Sequence, residues 1–198
     1  MSNLTSFHVE ESALLIMDYQ ILVLENYLSE SEATALVHQT KILLDQVRKT
    51  KMKIIYLMVE FQEGYPEVNA HNKVFAGVKK MGFLNKDDSK TKIHSLLEPL
   101  SEEVVISRNR VGAFSFNNLD LILRSNQINT LFVTGILTSG VVLSTTCQAA
   151  DLDYQIHIIH DCCADSDREV HQMLMKKILT QHANIIDSID LIKKLDID

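Results

Sequence analysis

Basic residues are in short supply in this sequence: Lys and Arg number 19 against 26 Asp and Glu, for a formal net charge of −7. Nucleic-acid binding needs a basic stripe that neutralises phosphates. Here the lysines and arginines are scattered among acids, which argues against a nucleic-acid partner and for a small molecule. Long apolar runs are missing too, none approaching the roughly 18–20 residues that span a bilayer, so no membrane partner is expected. The opening MSNLTSFHVEESALLIMD has no basic segment and is acidic just before its short apolar run, unlike a signal peptide. Cysteine is sparse and odd in number: Cys147, Cys162 and Cys163. Neighbouring side chains diverge on an ordinary backbone, which disfavours a bridge between the adjacent pair. A reduced, cytoplasmic chain is the expectation. Two prolines, Pro66 and Pro99, mark no boundary, and no repeat or low-complexity tract is present. Residues 1–198 therefore read as one domain.

What is present is an ordinary globular mixture, 46% hydrophobic and 23% charged, arranged as apolar runs alternating with amphipathic stretches. Ala13–Met17 and Lys53–Val59 read as buried strands, and Val104–Ile106 as a shorter one. Thr130–Thr134, Gln155–His160 and Asn184–Asp187 complete six. Ser29 with Glu32 has capping-box spacing, followed by Leu36, Val37, Leu43, Leu44 and Val47 on one helical face. Ser166 with Glu169 repeats that spacing before a helix reaching about Gln181. Further helices are expected over Asn118–Asn126, Ser139–Asp153 and Ile189–Leu195. Strands alternating with helices predict an α/β fold, a parallel sheet covered on both faces and joined by right-handed crossovers. The weakly periodic stretch Glu60–Ser101 is expected to fold over the sheet end as a cover.

In such sheets ligands sit beyond the carboxyl ends of the strands. That rule singles out Asp18 after the first strand, Glu60 and Phe61 after the second, Ser107 and Arg108 after the third, and Gly135 to Thr138 after the fourth. A carboxyl at the end of an apolar strand is desolvated, which raises its pKa and suits it to proton transfer; the simpler reading is an aspartate capping the next turn. Gln20 is placed to orient it by a hydrogen bond. The segment Gly135–Val142 (GILTSGVV) runs from a strand end into a helix start, where free N–H groups and the dipole favour an anion or oxyanion. A plain helix start is the competing reading. It lacks the third glycine and the spacing of a dinucleotide fingerprint.

The strings ALLIMDYQ, SRNRVGAF and GILTSGVVLSTTCQAADLDYQIHIIHDCCAD, in that order, resemble the isochorismatase-like superfamily, also called cysteine hydrolases. GYPEVNAHNKVF is similar to a subgroup that also reads TSGVV. The resemblance covers about residues 10–187. It implies a Rossmann-like three-layer sandwich around a mostly parallel six-stranded sheet, and an Asp–Lys–Cys triad in which Asp is the acid/base, Lys stabilises charge and Cys attacks an amide carbonyl. The family aspartate corresponds to Asp18. The family lysine, six residues before the phenylalanine of the middle motif, falls on Arg108, which keeps the charge without the compact ammonium. The family cysteine, three residues after the threonine of G-x-x-T, falls on Val141, which is no nucleophile. Cys147 lies about 240° further round that helix, which disfavours it as a substitute; a small buried thiol is the simpler reading. Cys162 and Cys163 are expected after a strand end.

Nicotinamidases of the same superfamily hold zinc with an Asp-x-His pair and a second His. The matching stretch EFQEGYPEVNAH has no Asp-x-His, and His71, His94, His157 and His160 form no evident ligand set, so no metal and no cofactor are expected. One family reaction survives loss of the cysteine: hydrolysis of a vinyl ether, in which Asp18 protonates the vinyl carbon and water attacks the oxocarbenium. Arg108 would then grip a substrate carboxylate as a bidentate fork. Gln20, Phe61, Ile136, Leu137, Thr138, Gly140 and Val141 would shape the pocket, Ile136–Leu137 lying where family members carry a cis peptide. The alternatives are a non-catalytic binding protein of the same fold and an amidase that activates water. The resemblance also implies a homo-oligomer, a dimer or larger.

Overall fold

The computed structural model describes residues 4–195. Six strands pair in the order β3-β2-β1-β4-β5-β6, every pair parallel. They are β1 (Ser12–Met17), β2 (Lys53–Val59), β3 (Val104–Arg108), β4 (Thr130–Ile136), β5 (Gln155–Ala164) and β6 (Asn184–Ile186). Side chains of a strand alternate between faces, and β1 divides accordingly. Ala13, Leu15 and Met17 enter one core, which holds Leu119 and Leu123 of α4 (Leu119–Ser125) and Ala149 of α5 (Leu143–Asp151). Leu14 and Ile16 enter the other, with Val23 and Leu24 of α1 (Ile21–Tyr27), the apolar stripe of α2 (Glu30–Val47) and Leu191 of α7 (Ser188–Leu195). Being buried on both faces is why β1 and β4 read as continuous apolar runs instead of alternating ones.

Several boundaries differ from the sequence reading, each for a local reason. The Ser29–Glu32 capping box forms with both of its hydrogen bonds. The second expected box does not: Asp167 caps α6 (Arg168–Met173), accepting from the backbone of Glu169 and Val170. An aspartate one residue closer to the helix supplies the same oxygen to the free N–H groups. The helix expected over Ser139–Asp153 opens with a π turn, Thr138–Val142, before α5 begins, and the helix to Gln181 is interrupted by another, Leu174–Ile178. β5 runs four residues past His160, so Cys162 and Cys163 lie inside a strand and are both buried, not beyond its end. Periodicity missed α1 and α3 (Lys73–Met81), which are short.

The cover is stitched to the sheet end by backbone bonds: Phe61 N–H to Leu84 O, Lys86 N–H to Phe61 O and His94 N–H to Tyr19 O, at 2.8–2.9 Å. Phe61, Tyr65 and Phe75 pack beneath it with Val59 and Val78 as a third, smaller core.

At the opposite end of the sheet His157 is fully buried and stacked on Phe132, ring centroids 5.0 Å apart. Burial holds its pKa down at about 4. The folded state therefore keeps the ring neutral while the unfolded chain takes up a proton below about 6.5. Stability from this site is complete above pH 6.5 and is lost as pH falls towards 4. In urea unfolding, His157→Gln is expected to remove on the order of 2 kcal/mol of acid dependence across that window. An unchanged acid limb would show that the ring meets solvent.

Candidate active site

The strand order reverses direction between β1 and β4, and a parallel sheet leaves its crevice outside that switch point. Two segments end there. Met17 is in register with Gly135, so Asp18 lies beside the end of β4. The Ile136–Leu137 peptide that follows is cis. Gly135 is required by this approach: a Cβ would come within 3.0 Å of both Cβ and the carbonyl oxygen of Met17, and 3.3 Å from Val141. Gly135→Ala is expected to cost about 1–3 kcal/mol through overpacking, read as a lower urea midpoint at unchanged slope. A midpoint at the wild-type value would show that the β1–β4 junction yields.

Asp18 has a left-handed backbone, φ +61°, a conformation aspartate tolerates better than most residues. It is 7% exposed, and its Oδ2 accepts from Arg108 Nη2 at 2.5 Å. Arg108 closes β3, and its side chain is wholly buried. Its Nη1 donates to the carbonyls of Arg110 and Val111. Both Nη atoms are thus committed inside the protein, and the bidentate grip on a substrate carboxylate expected from the sequence is not available in this arrangement. Nε of Arg108 and Oδ1 of Asp18 are buried without partners among the described residues. Burial pushes the Asp18 carboxyl above its ordinary pKa, and the Arg108 guanidinium opposes that without reversing it.

Gln20 does not orient Asp18. It is fully buried, donates to Val59 O at 2.8 Å and Thr91 O at 2.6 Å, and accepts from Val59 N–H at 2.8 Å. Its amide clamps the cover to β2. Val141 is 2% exposed and belongs to the core beside Met17. Ile136 is buried and Leu137 half-buried. Gly140 is half-buried in the π turn. Phe61 is buried in the aromatic core and borders a cavity it shares with Arg108.

Two groups escaped the sequence reading. Thr138 Oγ1 donates to Ala164 O at 3.1 Å and lies 2.8 Å from His171 Nδ1, so the imidazole N–H is the donor in that contact. Burial lowers the pKa of His171, which favours this neutral form. Asp165 Oδ2 accepts from Ser139 N–H at 2.6 Å, holding the free end of the π turn. Asp165 falls inside the HIIHDCCAD string, but nothing in the sequence ties His171 to Thr138 across 33 residues. The cavity beside Arg108 measures about 240 Å³ and is bordered by Glu60, Glu67, Lys86, Ser107 and Asn109. A larger groove of about 610 Å³, between α1 and the start of α2, reaches neither Asp18 nor Arg108. Among the described residues no cluster of three or more His, Cys, Asp or Glu is arranged to hold a metal ion.

A wholly parallel α/β sheet with a buried carboxylate at its switch point defines a doubly wound α/β protein, the class in which ligands sit at that crevice. The chain belongs to the isochorismatase family, whose domain profile matches residues 12–190. It is 24% identical over 155 residues to an uncharacterized isochorismatase family protein of Bacillus subtilis, covering 78% of this chain and 74% of that one. It is 31% identical over 113 residues to the N-carbamoylsarcosine amidase of an Arthrobacter species, covering 57% of this chain and 43% of the amidase. In structure it is similar to a cysteine hydrolase from Pseudomonas syringae, with a TM-score of 0.87 at 18% identity, covering 96% and 94% of the two chains. Among the described residues no helix is long and apolar enough to cross a membrane.

Proposed function

We propose that this chain is an isochorismatase-like hydrolase of a small molecule in which Asp18 acts as the acid and no covalent enzyme intermediate forms. The observation that carries this reading is the buried Asp18 carboxyl at the switch point, held towards its protonated form by desolvation; the family resemblance, which puts Val141 at the nucleophile position, supports it. A carboxylic acid in that state suits protonation of a vinyl-ether carbon. Water then adds to the oxocarbenium and returns its proton to Asp18, and the adduct collapses to a carbonyl compound and an alcohol. Arg108 keeps the carboxyl in place and supplies positive charge when Asp18 is ionised.

One observation favours a second reading, a binding protein without turnover: Arg108 is wholly buried and both of its Nη atoms are used internally. The two are separated by assaying purified protein on isochorismate and a panel of small amides beside Asp18→Asn. Turnover of the vinyl ether that vanishes in the variant supports acid catalysis. Turnover of amides alone supports a water-activating amidase, and silence from the parent protein across the panel supports the binding reading.

A further inference from the structure

The groove of about 610 Å³ between α1 and the start of α2 combines apolar lining with negative charge. Leu24 and Val37 line it and are buried, Leu28 and Ala33 are half-buried, and Leu96 stays 41% exposed. Glu25 and Glu30 also line it, both exposed, and among the described residues no lysine or arginine does. Glu25 meets Lys90 at 2.6 Å in a half-exposed pair, whereas Glu30 has no ion-pair partner among the described residues.

Helix α3 has the opposite character. Phe75 and Val78, on its inner side, pack into the small core of the cover. Its outer side meets solvent: Val74 is 60% exposed and Met81 55%. Residues seven apart fall within about 20° of each other on a helix, so Val74 and Met81 form one apolar ridge and Lys73 and Lys80 a basic ridge beside it. Both lysines are exposed and neither makes an ion pair among the described residues. Gly77 lies between the ridges, where a Cβ would meet nothing within 4 Å, so the helix backbone is open to close approach. A helix face of this kind fits a groove with an apolar lining and charges of the other sign.

We propose that the groove receives α3 of a second copy of this chain, Val74 and Met81 entering against Leu24, Leu28 and Leu96 while Lys73 and Lys80 meet Glu30 and Glu25. A small apolar ligand would leave both carboxylates unanswered, and an acidic partner would be repelled by them. Each copy offers one helix face and one groove, so the assembly is a reciprocal dimer or a head-to-tail ring or chain. The contact is independent of the reaction proposed above.

Sedimentation velocity of the intact protein over a micromolar concentration series tests it. The wild type is expected to sediment as more than a monomer and to dissociate as salt is raised. Lys73→Glu with Lys80→Glu, and separately Glu25→Lys with Glu30→Lys, set like charges against each other and are expected to weaken association about tenfold or more. All four side chains are exposed, so both variants should fold, which circular dichroism checks. Mixing the two variants, or placing all four changes in one chain, pairs opposite charges again and should return association close to the wild-type value. A monomeric wild type across the series, association indifferent to both charge reversals, or no recovery when the reversals are combined would overturn the proposal.

Discussion

Replacing Asp18 with asparagine is expected to lower turnover by about two to four orders of magnitude, the usual contribution of a positioned acid or base. Asparagine is the informative replacement because it tolerates the left-handed backbone at φ +61°, where alanine would add strain to the loss of function. The variant leaves the buried Arg108 guanidinium without a counter-charge. A few kcal/mol of stability should go with it, and rates are to be compared well below its melting temperature. The pH profile carries the sharper signature. Burial raises the Asp18 pKa, and the acid form is the one that donates. Activity is therefore present below the folded-state pKa and declines as pH rises through it. A residual rate above a tenth of wild type in the variant would take Asp18 out of the chemistry.

Arg108→Met is expected to destabilise the protein by about 3–5 kcal/mol near neutral pH, since it strands a buried carboxylate. It also leaves the carbonyls of Arg110 and Val111 without the guanidinium N–H they accept from. The sign of the pH dependence follows from the pair. Without the guanidinium, only desolvation acts on Asp18, so its folded-state pKa rises further above the unfolded value. The folded variant then binds the extra proton, and its deficit should shrink as pH falls through that folded pKa towards the unfolded one. The double variant Asp18→Asn, Arg108→Met should recover part of the loss, because removing both charges abolishes the desolvation that neither can then offset. Denaturant unfolding at several pH values measures all three. A single-variant cost below about 1 kcal/mol, as for an exposed pair, would mean that the contact is open to water.

The central strands were legible because β1 and β4 are buried on both faces, and a strand in that setting must be apolar throughout; Lys53–Val59 was bounded to the residue. Ends were harder. The carboxyl ends of β3 and β5 carry Ser107, Arg108 and Asp161, polar residues that break the apolar run although the strands continue. The cover was recognised only as a weakly periodic stretch. Its structure comes from contacts such as Phe61 on Phe75 and Gln20 on Thr91, between residues far apart in the chain. Helix α1 is a single short amphipathic element, too brief to show its period.

The sequence by itself determined the class of sheet and the position of Asp18 at a strand end. Both depend on residue type and local order alone. Only the tertiary structure decided what the polar groups do. It turned Arg108 inward onto Asp18, used Gln20 as a clamp, joined His171 to Thr138 and gathered Glu60, Glu67 and Lys86 around one cavity. A hydrogen bond or an ion pair is set by distances of a few ångströms between atoms that the chain separates by tens of residues. Hydrophobic pattern carries no record of which buried donor will meet which acceptor.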